Sequence, residues 1–133
     1  HVSAERALSG PGLVNLYETL AAMEDTPAET LEPAEVMSRA LAGTDRCATD
    51  ALAMFSSMLG TVAGDLALSL GALGSIYIAG GIVPRMTEFL GKSDFRARFE
   101  DKGRFKDYMA RIPTLVITRD QPAFLGLSSL LDE

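Results

Sequence analysis

At 133 residues, with 47% apolar and 23% charged side chains, the chain has the composition of one ordinary globular domain, long enough to bury a core. A formal net charge of −6 disfavours nucleic-acid binding through a basic surface. A single cysteine, Cys47, and a single histidine, His1, exclude an internal disulfide and a zinc site on soft ligands, and point to a reducing compartment.

The chain opens at His1 with no basic-then-apolar leader, and a trimmed beginning with further chemistry upstream is expected. Ser3 can cap a short turn through Leu8, which Ser9-Gly10-Pro11-Gly12 interrupts. Pro11 suits the start of a helix on which Leu13, Leu16, Tyr17 and Leu20 recur at helical spacing up to Met23. Glu24 to Glu32, acidic and carrying Pro27, is a loop. Pro33 opens a second helix with the apolar face Val36, Met37, Ala40 and Leu41, and Gly43 closes it. Thr44 or Asp45 caps a third helix that runs through Leu52, Phe55, Leu59, Val62, Leu66 and Leu70. It is apolar nearly all round toward its end, so burial on several sides is expected there.

The stretch Ala51–Leu73 is long and apolar enough to imitate a membrane span, with Gly60 and Gly64 spaced like a transmembrane dimer face. Asp65 in its middle would be costly in lipid, so a core helix, and no membrane, is the expectation. Its two glycines lower helix propensity and imply close approach by a neighbouring element.

Beyond Gly71 and Gly74, Ser75–Ala79 is β-branched, aromatic and uncharged, which reads as a buried, parallel strand. Gly80-Gly81 follows, and helical periodicity resumes from Ile82 to Leu90. Phe95, Phe99, Phe105, Tyr108 and Met109 anchor two further short helical pieces divided at Gly103. Lys and Arg gather between Lys92 and Arg111, interspersed with acids, as on an ion-paired surface. Pro113–Thr118 is a second buried strand, and Pro122 starts a terminal helix through Leu125, Leu127, Leu130 and Leu131. The class is α/β, helix-rich with a short parallel sheet, its two strands joined by a long helical crossover of the right-handed kind. Two strands make a poor sheet, so pairing with another copy or membership of a larger sheet is expected.

Chemistry is concentrated at the glycine pair. Ligands of open parallel sheets bind at the carboxyl ends of strands. There Gly80 and Gly81 let a nucleotide approach the backbone, and the following helix offers its N-terminus. A tight turn without a ligand is the plainer reading, since no GxxxxGK[ST] string is present. Glu5 could accept hydrogen bonds from a polyol or simply face the dipole of a first helical turn. His1 reads as a solvated terminus. Cys47, early in a helix, could have a lowered pKa or be packed and inert. The methionines at 23, 37, 54, 58, 86 and 109 read as core filling.

Three strings, HVSAERALSGPGLVNLYE (1–18), YIAGGIVPR (77–85) and FRARFEDKGRFKDYMARIP (95–113), resemble the bacterial glucokinase family in order along nearly the whole chain. The resemblance implies the C-terminal part of the large lobe of an actin-like, ribonuclease H-like ATPase, residues 1–133, with the N-terminal lobe absent. It implies transfer of the γ-phosphoryl of ATP to the 6-hydroxyl of glucose, the first step of glycolysis, with Mg²⁺, by a cytoplasmic homodimer. The family's catalytic aspartate and its DxGGT, GxGTGLG and ExGH strings do not occur here, so no catalytic residue is assigned to this chain and it is expected to be inactive alone. Two features carry over: Glu5 as a glucose-binding carboxylate, and Gly80 and Gly81 as the lining of the adenosine side of the nucleotide site. The Ser9–Gly12 turn faces the nucleotide or is a helix junction. A single cysteine separates the chain from the zinc-bearing branch of related kinases and repressors. The alternative is a non-catalytic dimerisation or sensor module derived from a sugar kinase; an upstream DxGGT segment or an upstream DNA-binding domain distinguishes the two.

Overall fold

The computed structural model of the chain describes residues 3–27, 29–119 and 122–129. After a single 3-10 turn at Ala4–Arg6 come α1 (Gly10–Met23), α2 (Pro33–Ala42) and α3 (Arg46–Ser69). Strand β1 (Ile76–Ile78) leads through a 3-10 turn, Val83–Arg85, into α4 (Thr87–Lys92) and α5 (Phe95–Glu100). A further 3-10 turn, α6 (Lys106–Ala110), β2 (Thr114–Val116) and α7 (Pro122–Ser129) complete the chain.

The helix ends follow from their capping chemistry. Ser9 Oγ accepts the Gly12 amide at 3.1 Å and starts α1, and Asp45 Oδ1 accepts the Ala48 amide at 3.0 Å and starts α3. Gly43, at φ 66°, ends α2 in the left-handed conformation that a residue with a Cβ adopts at a cost. Ser3 stands at the cap position of the first turn, yet its side chain makes no capping bond. The Ser9–Gly12 turn is a helix junction: a Cβ on Gly12 would lie 2.5 Å from the Ala7 carbonyl carbon, so only glycine lets the first turn fold back on α1.

Helix α3 is the centre of the core. α1 and α2 pack on one part of its surface and α5 on another. Leu13, Tyr17, Val36, Leu52, Phe55, Phe95 and Phe99 are buried among them, each contributing on the order of 1.5–3 kcal/mol by leaving water. The predicted close approach at the glycines is present. A Cβ on Gly60 would lie 2.2 Å from the Phe95 carbonyl oxygen, and one on Gly64 would lie 2.5 Å from that of Phe99. Asp65, the charge that argued against a membrane span, pairs with Lys102 at 2.7 Å. The Lys102 Nζ also donates to the Thr61 carbonyl at 3.1 Å, stitching α5's far end to α3.

Burial on several sides, expected toward the end of α3, is not observed. Ala63 and Ala67 are buried in its last turns, but Leu66 is 57% and Leu70 81% exposed, because among the described residues packing covers one face of those turns. The methionines divide likewise: Met37, Met86 and Met109 fill the core, whereas Met23, Met54 and Met58 lie at the surface. Leu41, predicted on the apolar face of α2, is also exposed.

The two strands pair in parallel, Ile76 opposite Thr114 and Ile78 opposite Val116. They are half-buried rather than buried. Alternation sends Ile76, Ile78 and Val116 into the core and leaves Tyr77 65% and Leu115 44% exposed, since helices cover only one face of the sheet. One side chain locks β2 to the helices. The Arg96 guanidinium donates to the carbonyls of Met109, Ala110 and Ile112 at 3.3, 3.0 and 2.8 Å. It pairs with Glu100 at 2.6 Å and lies 4.9 Å from the centre of the Phe99 ring. Of the terminal helix, Leu130 and Leu131 lie outside the described residues, as does His1.

Candidate nucleotide and sugar sites

The carboxyl ends of both strands open onto one cavity of about 470 Å³, within the size range of small-molecule sites. From β1 come Gly80 and Gly81, then Pro84 and Arg85; from β2 come Ile117, Thr118 and Arg119, and Pro122 completes the lining. Gly80 has φ 121°, which favours glycine, while Gly81 has no such requirement. A Cβ built on either would meet nothing within 4 Å. Packing among the described residues therefore does not explain Gly81, and the bare backbone there is available to a ligand.

The continuous helix expected from Ile82 to Leu90 is broken at Met86, whose φ and ψ are −129° and 25°. The cause is the core. Val83 and Met86 are both buried and three apart, the spacing that a 3-10 turn places on one side. The segment behind the glycines is thus a single turn, and the macrodipole of a long helix does not act at the cavity.

Two arginines border this cavity, one beyond each strand. Arg39, Arg46 and Arg96 are held by carboxylates, whereas among the described residues neither Arg85 nor Arg119 carries an ion pair. Sequence reasoning passed over Thr118 and Arg119. The rule that drew attention to Gly80 applies equally to the end of β2, but their place beside the glycine turn depends on parallel pairing across some forty intervening positions.

Glu5 is exposed on the first 3-10 turn. It lines a separate cavity of about 280 Å³ with Ser3, Arg6, Ser9, Pro11, Gly12 and Asn15. Among the described residues the structure does not bring Glu5 and the glycine pair into one cavity. The Ser9 hydroxyl oxygen is engaged by the cap of α1.

Cys47 is buried, and burial together with the carboxylates of Glu24, Asp45 and Asp50 pushes its thiol pKa up. The shift is opposite to the lowered value an early helical position could have produced. Its Sγ lies 3.7 Å from Glu24 Oε2. Among the described residues no group of three or more His, Cys, Asp or Glu gathers.

Comparison with known proteins places the whole chain. The family model described as Glucokinase matches residues 1–133. A glucokinase of Nitrobacter hamburgensis is 59% identical over 130 residues, 98% of this chain and 41% of that protein. A glucokinase of Aromatoleum aromaticum is 53% identical over 132 residues, 99% of this chain and 40% of that protein. The crystal structure of a glucokinase from an Antarctic psychrotroph superposes with a TM-score of 0.89 at 39% identity, covering 99% of this chain and 41% of that one. The chain spans about two fifths of the length of the relatives it matches. The expected fold, the C-terminal part of an actin-like ATPase lobe, is the one observed.

Proposed function

Because this chain belongs to the glucokinase family, we propose that it is the C-terminal portion of a kinase that transfers the γ-phosphoryl of ATP to the 6-hydroxyl of glucose. The observation that carries the reading is the cavity at the strand ends, floored by Gly80 and Gly81 with open space where side chains would stand, in a chain matched along its whole length. The glycine turn lines the adenosine side of the nucleotide site, and Glu5 accepts hydrogen bonds from glucose hydroxyls. Phosphoryl transfer depends on positioning and electrostatic stabilisation, and no catalytic base or phosphate-binding turn is assigned to this chain. It is therefore inactive alone, with the remaining machinery supplied by a preceding segment. The reaction uses Mg²⁺ to shield the phosphates of ATP, and no residue of this chain is assigned to the ion. The working enzyme is a cytoplasmic homodimer.

The mass of the native protein, measured together with glucose- and ATP-dependent ADP release, tests this. A chain about two and a half times as long that turns over supports it; a native protein of 133 residues without turnover refutes it. In the full-length protein Gly81→Val raises KM for ATP at least tenfold and leaves KM for glucose unchanged, while Glu5→Gln does the reverse. An unchanged KM for ATP in the first variant removes the glycine turn from the site.

A second reading, a non-catalytic assembly module, draws on the open sheet face at Tyr77 and Leu115, since uncovered apolar faces and strand edges invite self-association. Under either reading the 133-residue chain is a dimer or larger, and a clean monomer by light scattering argues against it.

A further inference from the structure

We propose that Arg119 stacks its guanidinium on the adenine ring and so acts as a nucleobase-binding residue of this site. The inference rests on the nucleotide reading of the glycine turn and adds a residue that neither the motif nor the glycine pair contains.

The lining of the cavity carries the argument. Pro84, Ile117 and Pro122 present apolar surfaces, and Gly80 and Gly81 present bare backbone. Among the described residues no aromatic side chain lines the cavity, and the planar side-chain groups they offer to a base are the guanidinium groups of Arg85 and Arg119. Guanidinium is planar, weakly hydrated and suited to stacking on aromatic faces. Arg119 is exposed and makes no hydrogen bond or ion pair with any described residue, so stacking disrupts no existing contact. Arg85 also borders two neighbouring cavities, one shared with Glu88 and Lys92 and one with Glu32 and Pro33. Arg119 lines neither of those two and continues directly from Ile117 and Thr118, which themselves line this cavity. The register is pinned beneath it, because the Ile117 amide donates to the Ile78 carbonyl at 2.9 Å, two residues before Gly80.

A stack and a charge contact are distinguishable. Lysine keeps the charge but has no plane, so at a stacked site it does not replace arginine. The test is Arg119→Ala and Arg119→Lys in the full-length protein, read by inhibition constants of adenosine and of ADP against ATP, with KM for glucose and unfolding midpoints measured alongside. Arg119→Ala is expected to weaken adenosine and ADP alike, roughly five- to thirtyfold for the loss of a stacked cation, and Arg119→Lys to recover only part of that, since lysine keeps the charge without the plane, with KM for glucose and midpoints unchanged. If Arg119→Lys keeps wild-type affinity, or only ADP is weakened, the residue serves the phosphates through charge and the stack is wrong. If neither variant moves either constant while Gly81→Val raises KM for ATP, Arg119 is idle and the glycine-turn reading stands. If Gly81→Val also leaves it unchanged, both readings fall.

Discussion

Replacing Gly60 by alanine adds one carbon where α3 meets α5, and the structure predicts its cost. That Cβ would stand 2.2 Å from the Phe95 carbonyl oxygen and 3.0 Å from its carbonyl carbon. Both are backbone atoms, so no rotamer change relieves the overlap and α5 must shift as a body. Phe95 and Phe99, buried with their rings 6.4 Å apart, resist that shift. Overpacking a well-filled core costs about 1–3 kcal/mol, occasionally more, and a backbone clash belongs at the upper end. Against it stands the gain of about 1 kcal/mol in helix propensity from glycine to alanine. The net loss is about 2 kcal/mol, or roughly 5–10 °C in midpoint for a chain of this size. Gly91→Ala in α4 is the control, since a Cβ there meets nothing within 4 Å; propensity alone predicts equal or higher stability. Urea unfolding of the two variants beside the parent decides. If Gly60→Ala is as stable as the parent, the helices do not approach as closely as described, and the account of this glycine is refuted.

Removing the α3 cap by Asp45→Ala is expected to cost about 1 kcal/mol in the same urea titration. Arg96→Ala leaves the carbonyls of Met109, Ala110 and Ile112 without their donor and loses about 2 kcal/mol, with Arg96→Lys recovering only part, because lysine cannot fork to several carbonyls. Cys47, buried with its pKa raised, reacts with iodoacetamide at pH 8 at least roughly tenfold more slowly than an exposed cysteine; a rate equal to that of a free thiol contradicts the burial. Glu29, held by Arg39 at 2.9 Å, has its pKa lowered from an ordinary 4.5, first by that hydrogen bond and then by the charge. A lowered folded value means the stabilisation is present above the unfolded pKa and is lost as pH falls through the lower folded one. Wild type and Glu29→Gln should therefore converge in stability between pH 5 and 3, by about the width of the pKa interval, and a constant difference across that range refutes the ion pair's contribution.

Much of the architecture was legible because it depends on local chemistry. Ser9, Pro33, Gly43 and Asp45 mark helix ends through hydrogen bonds or dihedral angles decided within four residues. The glycines of α3 signalled a close neighbour because in a helix interior they are otherwise a loss. The failures share the opposite property. That Leu66 and Leu70 are uncovered, that Tyr77 and Leu115 face outward, and that Met54 and Met58 lie at the surface depend on what does not pack there, which periodicity does not encode. The break at Met86 arose because two core positions three apart, Val83 and Met86, outweighed the helical periodicity read from Ile82 to Leu90.

The site divides in the same way. By itself the sequence determined the helix and strand order, the glycine turn after β1, the presence of a single thiol and the resemblance carried by three strings. Only the tertiary structure decided that the end of β2 faces that turn, that Arg119 and Thr118 share its cavity, and that Glu5 lines a different one. The reason is physical: a glycine turn is a local conformational event, whereas a cavity is made by residues that meet only after parallel pairing and helix packing bring distant segments together.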